Sequence, residues 1–261
     1  MTLFIHEIKR NRLPLLIWTS AITFMLAVCV VIYPEMSVQM DEISKLFSEM
    51  GSFSAAFGMD QLNFGEFMGY FGVECGNVLG LGGAFFAAIT GMLALSKEEK
   101  DHTAEFLLTH PISRTSIFFQ KLLAVIAQII ALNVVVISIT LLCVLAIGVK
   151  IKAGAFALIV IAYLIMQIQI GVLTFAISAF ISSNGLGISL GVVLIFYFAN
   201  IISNLSQELK ILKYFTPFGY TDSAHIINKS SIEIKYLVVE LCIITIVGVL
   251  SYLFYQKKDI K

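Results

Sequence analysis

The sequence predicts an all-α integral membrane protein with six transmembrane helices. Composition is the first observation behind that reading: 59% of the 261 residues are hydrophobic and 13% are charged, against about 25% charged in a typical soluble domain. The mean hydropathy is +0.94. The second observation is the spacing of the charges, which leaves five long stretches with almost none. The third is the lack of short alternating segments, which an outer-membrane barrel needs at about ten residues each. This much apolar surface excludes a disordered chain. A formal net charge of zero provides no global basic field for nucleic acid. Cys29, Cys75, Cys143 and Cys242 show no CxxC spacing, which argues against a zinc site or a disulfide framework.

A membrane helix needs about 20 apolar residues to cross a core of about 30 Å. The uncharged stretch 13–34 is long enough and holds span one, near 13–33. A cleaved leader is the weaker reading, because the chain continues Val30-Val31-Ile32-Tyr33-Pro34-Glu35 with no small-residue cleavage motif. Span two lies near 75–95 and span three near 122–149. The 55 uncharged residues of 153–207 would make one helix of roughly 80 Å at about 1.5 Å per residue, too long for one crossing. Ser182-Ser183-Asn184-Gly185 supplies turn chemistry near its middle. The stretch therefore divides into spans near 154–181 and 186–205. The last span, near 236–255, is interrupted once, by Glu240.

Between the spans, residues 1–12 mix Leu3, Phe4, Ile5 and Ile8 with Glu7, Lys9, Arg10 and Arg12. They form either a short amphipathic helix on the inner leaflet or an extended flank of span one. The 34–74 segment carries seven acids and one lysine. Met40, Ile43, Leu46, Phe47 and Met50 recur there at helical spacing, predicting an amphipathic helix on the outer face. The phenylalanines from Phe53 to Phe71 dip into the membrane or cap a cavity. In 206–235, Pro217 and Gly219 break an aromatic run, Tyr214 to Tyr220. A pair of short re-entrant helices fits that break. Ten Lys and Arg fall on the side of the termini and seven on the other, so the positive-inside rule places both termini in the cytoplasm.

Span two carries Gly72, Gly76, Gly80, Ala84 and Ala88 at four-residue intervals, a stripe that lets helix backbones approach closely. Gly187 and Gly191 do the same more weakly in span five. Gly187-Ile188-Ser189-Leu190-Gly191 matches a nucleophile-elbow pattern, but that motif needs a strand–turn–helix, and here it opens a membrane helix. With no HExxH and no Walker A motif, the chain is not predicted to be an enzyme. Gln128, Asn133, Gln167, Gln169 and Asn200 are polar residues within spans. Such groups either bond helices together or line a path; Gln128, Asn133, Gln167 and Asn200, with Glu240, are the candidates for lining a cavity. Glu240 is the only ionisable group expected well inside a span, and it either reaches back to the surface or contacts an ion or substrate.

The loop 96–121 is the most specific feature. Ser96 and Glu99 make a capping box, which starts a helix at the membrane edge, and Pro111 stops it. That 97–110 helix carries Phe106, Leu107 and Leu108 with no core to cover them, beside an acidic rim that includes Glu105. An apolar surface of this kind is a docking element.

The run Glu99-x-x-x-Thr103-x-Glu105-x-Leu107-Leu108-Thr109-x-Pro111-x-Ser113-Arg114, followed by Lys121-Leu122, resembles the segment after the second span in permeases of the type-2 ATP-binding-cassette exporter family. Small permeases for antimicrobial or toxin peptides, bacitracin and sodium are the nearest branch. The order of elements is similar along essentially the whole chain. His102 stands where the family often has glycine. The resemblance implies a single permease domain over 1–261, with the compact ABCG-like (type V) exporter fold and an N-terminal amphipathic helix. It also implies a multi-pass protein of a bacterial cell membrane that pairs with a second permease copy or a paralogue. A separate ABC ATPase subunit would hold ATP and magnesium, with no cofactor in this chain. Glu99, Thr103, Glu105, Phe106, Leu107, Leu108, Pro111 and Arg114 would couple that ATPase to the spans. The substrate would be amphipathic or hydrophobic, a peptide or toxin by preference, carried outward through a cavity between two permeases. The alternative is a secondary transporter or ion exporter using Glu240, although inverted repeats are not visible.

Overall fold

The computed structural model describes residues 2–37, 51, 54, 56, 61–100, 112–181, 185–206 and 208–258. The expected amphipathic helix around Met40 to Met50 lies outside them. So do Thr103, Glu105, Phe106, Leu107, Leu108 and Pro111, with the side chain of Glu99.

The described residues form helices and no strand, and six of the helices are long and apolar enough to cross a membrane. Helix α1 spans Thr2–Arg10 and α2 spans Arg12–Ser37. Helix α3 runs as Phe67–Cys75, a π-helical turn at Gly76–Leu81, and Gly82–Lys100. Helix α4 is Arg114–Ile147, α5 is Ala153–Ser178 and α6 is Leu186–Leu205. A 3₁₀ helix, Glu208–Phe215, and the short α7, Ser223–Lys229, precede α8, Ile234–Lys257. Helix α4 ends at Gly148, whose φ of 70° is the left-handed conformation that glycine adopts without strain.

Helix α3 begins at Phe67, eight residues before the first residue expected of span two. Tyr33, Phe67, Phe71 and Phe156 pack ring against ring there, with successive centroids 4.9–5.7 Å apart. This aromatic packing extends the helix past Glu74, which is half-buried within it. Glu240 is therefore not the sole acid inside a span. The capping-box reading of Ser96 and Glu99 is also corrected. The helix runs unbroken through both, and the buried Ser96 Oγ donates to the Met92 carbonyl one turn back, at 2.7 Å.

The glycines of α3 face α5. A Cβ on Gly76 would sit 2.7 Å from the Tyr163 hydroxyl, and one on Gly80 would sit 2.8 Å from the Tyr163 ring. Gly72 is instead covered by Ser223 and Ile227 of the α7 segment. The π turn inserts an extra residue, so past it the contact shifts to Gly83 and Gly91. A Cβ there would meet Gln167 Nε2 at 2.2 Å and the Gly171 carbonyl at 2.3 Å. Such approach is the route by which helices pack without a hydrophobic drive from water. Gly187 and Gly191 meet nothing within 4 Å, so the close contact expected there is absent from the described residues.

The end of the bundle that carries the termini is held by cations. Lys121 was expected at the loop edge. It lies instead about two turns inside α4, with its side chain 1% exposed. Its Nζ donates to Glu7 Oε1 at 3.0 Å and to the Ala94 carbonyl at 2.6 Å. Arg114 Nη1 donates to the Tyr255, Gln256 and Lys258 carbonyls at 3.3, 3.2 and 2.6 Å. Lys258 Nζ reaches the Ala179 carbonyl at 2.9 Å. The carbonyls that Arg114 and Lys258 meet lie at helix C-termini, where backbone acceptors are unfilled and the dipole favours positive charge.

Two outcomes are expected. Gly76→Ala should cost about 1–3 kcal/mol as overpacking, read as a lower melting temperature in detergent. Tyr163→Phe removes the clashing hydroxyl and should offset part of that loss, whereas additive losses would contradict the contact. Lys121→Met strands the Glu7 carboxylate and should cost about 3–5 kcal/mol. Adding Glu7→Leu should recover most of it; no recovery would mean the pair is not what holds α1.

Candidate functional site

A cavity of about 90 Å³ lies at the end of the bundle remote from the termini. Helix α3 contributes Gly72, Val73, Gly76 and Asn77. Tyr163 comes from α5, and Tyr197, Asn200, Ile201 and Asn204 come from α6. The segment after the 3₁₀ helix closes it with Lys213, Phe218 and Thr221 to Ala224. Amides, hydroxyls and an ion pair stand among apolar side chains around this space, which is large enough for a few waters.

The closing segment is positioned by its own hydrogen bonds. Thr216 Oγ1 donates to the Phe196 carbonyl at 2.9 Å, tying the turn to α6. A Cβ on Gly219 would lie 2.2 Å from the Lys213 carbonyl, so the chain can double back over the 3₁₀ helix only with glycine there. Asp222 Oδ1 caps α7, accepting from Ala224 N at 3.0 Å and His225 N at 3.2 Å. Its Oδ2 lies 3.6 Å from Lys213 Nζ. The Tyr163 hydroxyl donates to the Thr221 carbonyl at 3.3 Å and lies 3.2 Å from Ser223 Oγ, which donates to the Gly72 carbonyl at 2.9 Å. Thus α3, α5 and the closing segment meet on one tyrosine.

The Lys213–Asp222 pair also borders a larger open basin of about 490 Å³. Lys210, Lys229, Lys235, Glu233 and His225 line it, and it shares Asn204, Lys213, Asp222 and Ala224 with the cavity. Cavity and basin therefore share one wall, on which the pair sits.

Of the five residues expected to line a cavity, Asn200 lies on this one. Gln128 is buried in α4 and its Nε2 donates to the Ala124 carbonyl at 3.0 Å. Asn133 Nδ2 donates to Gln167 Oε1 at 2.6 Å, and Gln167 Nε2 donates to the Leu79 carbonyl at 2.9 Å. That chain binds α4 and α5 to the π turn of α3, so Gln128, Asn133 and Gln167 bond within the bundle and do not reach this cavity. Glu240 is 3% exposed and lies outside the cavity as well, so it does not reach back to the surface. Sequence reasoning missed Asn77, Tyr163, Tyr197, Lys213 and Asp222. Only the aromatic run 214–220 signalled that the loop is packed into the bundle.

A family model described as ABC-2 family transporter protein matches residues 1–260 of this chain. The chain belongs to that family, and is a membrane-spanning permease component of an ABC transporter. No curated protein matches it.

A hydrated cavity makes a direct prediction. In a cysteine-free background, cysteine at Asn77 or Asn200 should react with a charged, water-soluble maleimide, while cysteine at Gln128 should not. Labelling of all three alike would show that water does not distinguish this cavity from the packed core.

Proposed function

We propose that the chain is the permease half of an ATP-driven exporter, with both termini in the cytoplasm and ATP hydrolysis on a separate ABC ATPase subunit. The family match over residues 1–260 carries this reading. Two permeases enclose a transport path, and alternating access moves an amphipathic or hydrophobic substrate outward, a peptide or toxin by preference. The vestibule at the end remote from the termini then forms part of the outer gate.

The coupling site is the loop between α3 and α4. Phe106, Leu107 and Leu108 supply apolar area worth roughly 1.5–3 kcal/mol each when buried. Glu99 and Glu105 set register with basic groups on the partner rather than raw affinity. The base of the loop supports transmission: Arg114 is fastened to the end of α8, and Lys121 joins α1, α3 and α4. Motion of the loop is thereby applied to four helices together. Leu107→Asp with Leu108→Asp should leave the spans folded and abolish association with the ATPase, measured by pull-down and by substrate-coupled ATP hydrolysis in vesicles. Unchanged binding and hydrolysis in that double variant would rule out this docking site.

A further inference from the structure

A second polar cluster lies inside the bundle, away from the cavity. Glu240 sits six residues into α8, about 9 Å along the axis at about 1.5 Å per residue. It is 3% exposed, and its Oε1 has no hydrogen-bond partner among the described residues. Gln169 of α5 is equally buried, and its Nε2 is likewise unpartnered. The Tyr220 hydroxyl, on the turn after the 3₁₀ helix, donates to Gln169 Oε1. Burial first, and then the nearby Glu240 carboxyl, push the Tyr220 hydroxyl above its ordinary range, so it stays protonated and remains a donor.

The surroundings offer Glu240 no counter-charge. Helix α5 presents the neutral Gln169 and the turn presents Tyr220. The 3₁₀ helix presents Tyr214, whose ring packs on Tyr236 one turn back along α8. Helix α4 meets α8 through Phe118 and Tyr252, about three turns further on. The ion pairs at this end of the fold are Lys213 with Asp222, on the cavity wall, and Lys235 with Glu233, at the exposed start of α8. An isolated carboxylate in such a place costs several kcal/mol. Membrane-embedded acids of this kind are commonly sites of ion or proton handling. A hard metal cation would take about six oxygens, more than Glu240, Gln169 and Tyr220 present. A proton needs none of these.

We infer that Glu240, buried in α8 with its Oε1 unpartnered, is a proton-binding site. The carboxyl carries its proton in this packing and releases it to water, as hydronium, when α8 and the 216–221 turn part. The carboxylate left behind is then hydrated. The release step rests on the alternating-access reading above, whereas proton occupancy does not.

Infrared spectroscopy of the purified permease in vesicles, titrated from mildly acid to alkaline pH, tests occupancy. A protonated-carboxyl band should persist at neutral pH and be lost in Glu240→Gln, which keeps shape and neutrality and so folds. Tyr220→Phe and Gln169→Leu should shift it. Identical spectra for wild type and Glu240→Gln would overturn the site. In the full transporter, Glu240→Gln should flatten the pH profile of ATP hydrolysis; an unchanged profile with the band lost would overturn coupled release. A wild-type permease that shows the band yet stimulates no ATPase would count against the export reading and leave the proton site standing.

Discussion

The rest of this bundle depends on how closely α3 and α5 approach. Tyr163 and Gln167, one turn apart on α5, occupy the space that Gly76, Gly80 and Gly83 leave on α3. Between apolar helices there is little hydrophobic gain to drive association, so van der Waals contact and buried hydrogen bonds must supply it. The same two side chains carry those bonds. Tyr163 reaches the Thr221 carbonyl and Ser223, and Gln167 reaches the Leu79 carbonyl and Asn133. A methyl group on one of these glycines would push apart the contact and both sets of bonds together.

The π turn at Gly76–Leu81 follows from this. One extra residue re-aims the contact face of α3 partway along its length, and π turns are often found at functional sites. Here the turn presents Asn77 to the cavity and the Leu79 carbonyl to Gln167. The structural core and the wall of the candidate site thus meet at Gly76, and any opening of the cavity there must disturb its contact with Tyr163.

At the opposite end, charge does the work that glycine does in the middle. Arg114, Lys121 and Lys258 each donate to carbonyls near the ends of helices. In a membrane protein these acceptors have few other partners, because unfilled backbone groups are costly away from water. These cations therefore close the ends of α5 and α8 and tie α4 to α3.

The sequence by itself determined the class, the number of helices and the family. Each rests on composition or charge spacing, which the membrane reads directly, or on the 99–122 motif. It also marked the small-residue stripe and the packed character of the 214–220 turn. Only the tertiary structure decided which polar groups face one another. Lys121 reads as a loop-edge cation until Glu7, more than a hundred residues away, is placed beside it. Ser96 reads as a helix start until the aromatic packing below shows the helix already formed. Gln167 and Asn200 are equivalent amides in sequence, yet one bonds the π turn and the other lines the cavity. The reason is physical: hydropathy is a property of each residue, while the partner of a buried polar atom depends on helix register, rotation and a one-residue π insertion that no local pattern encodes.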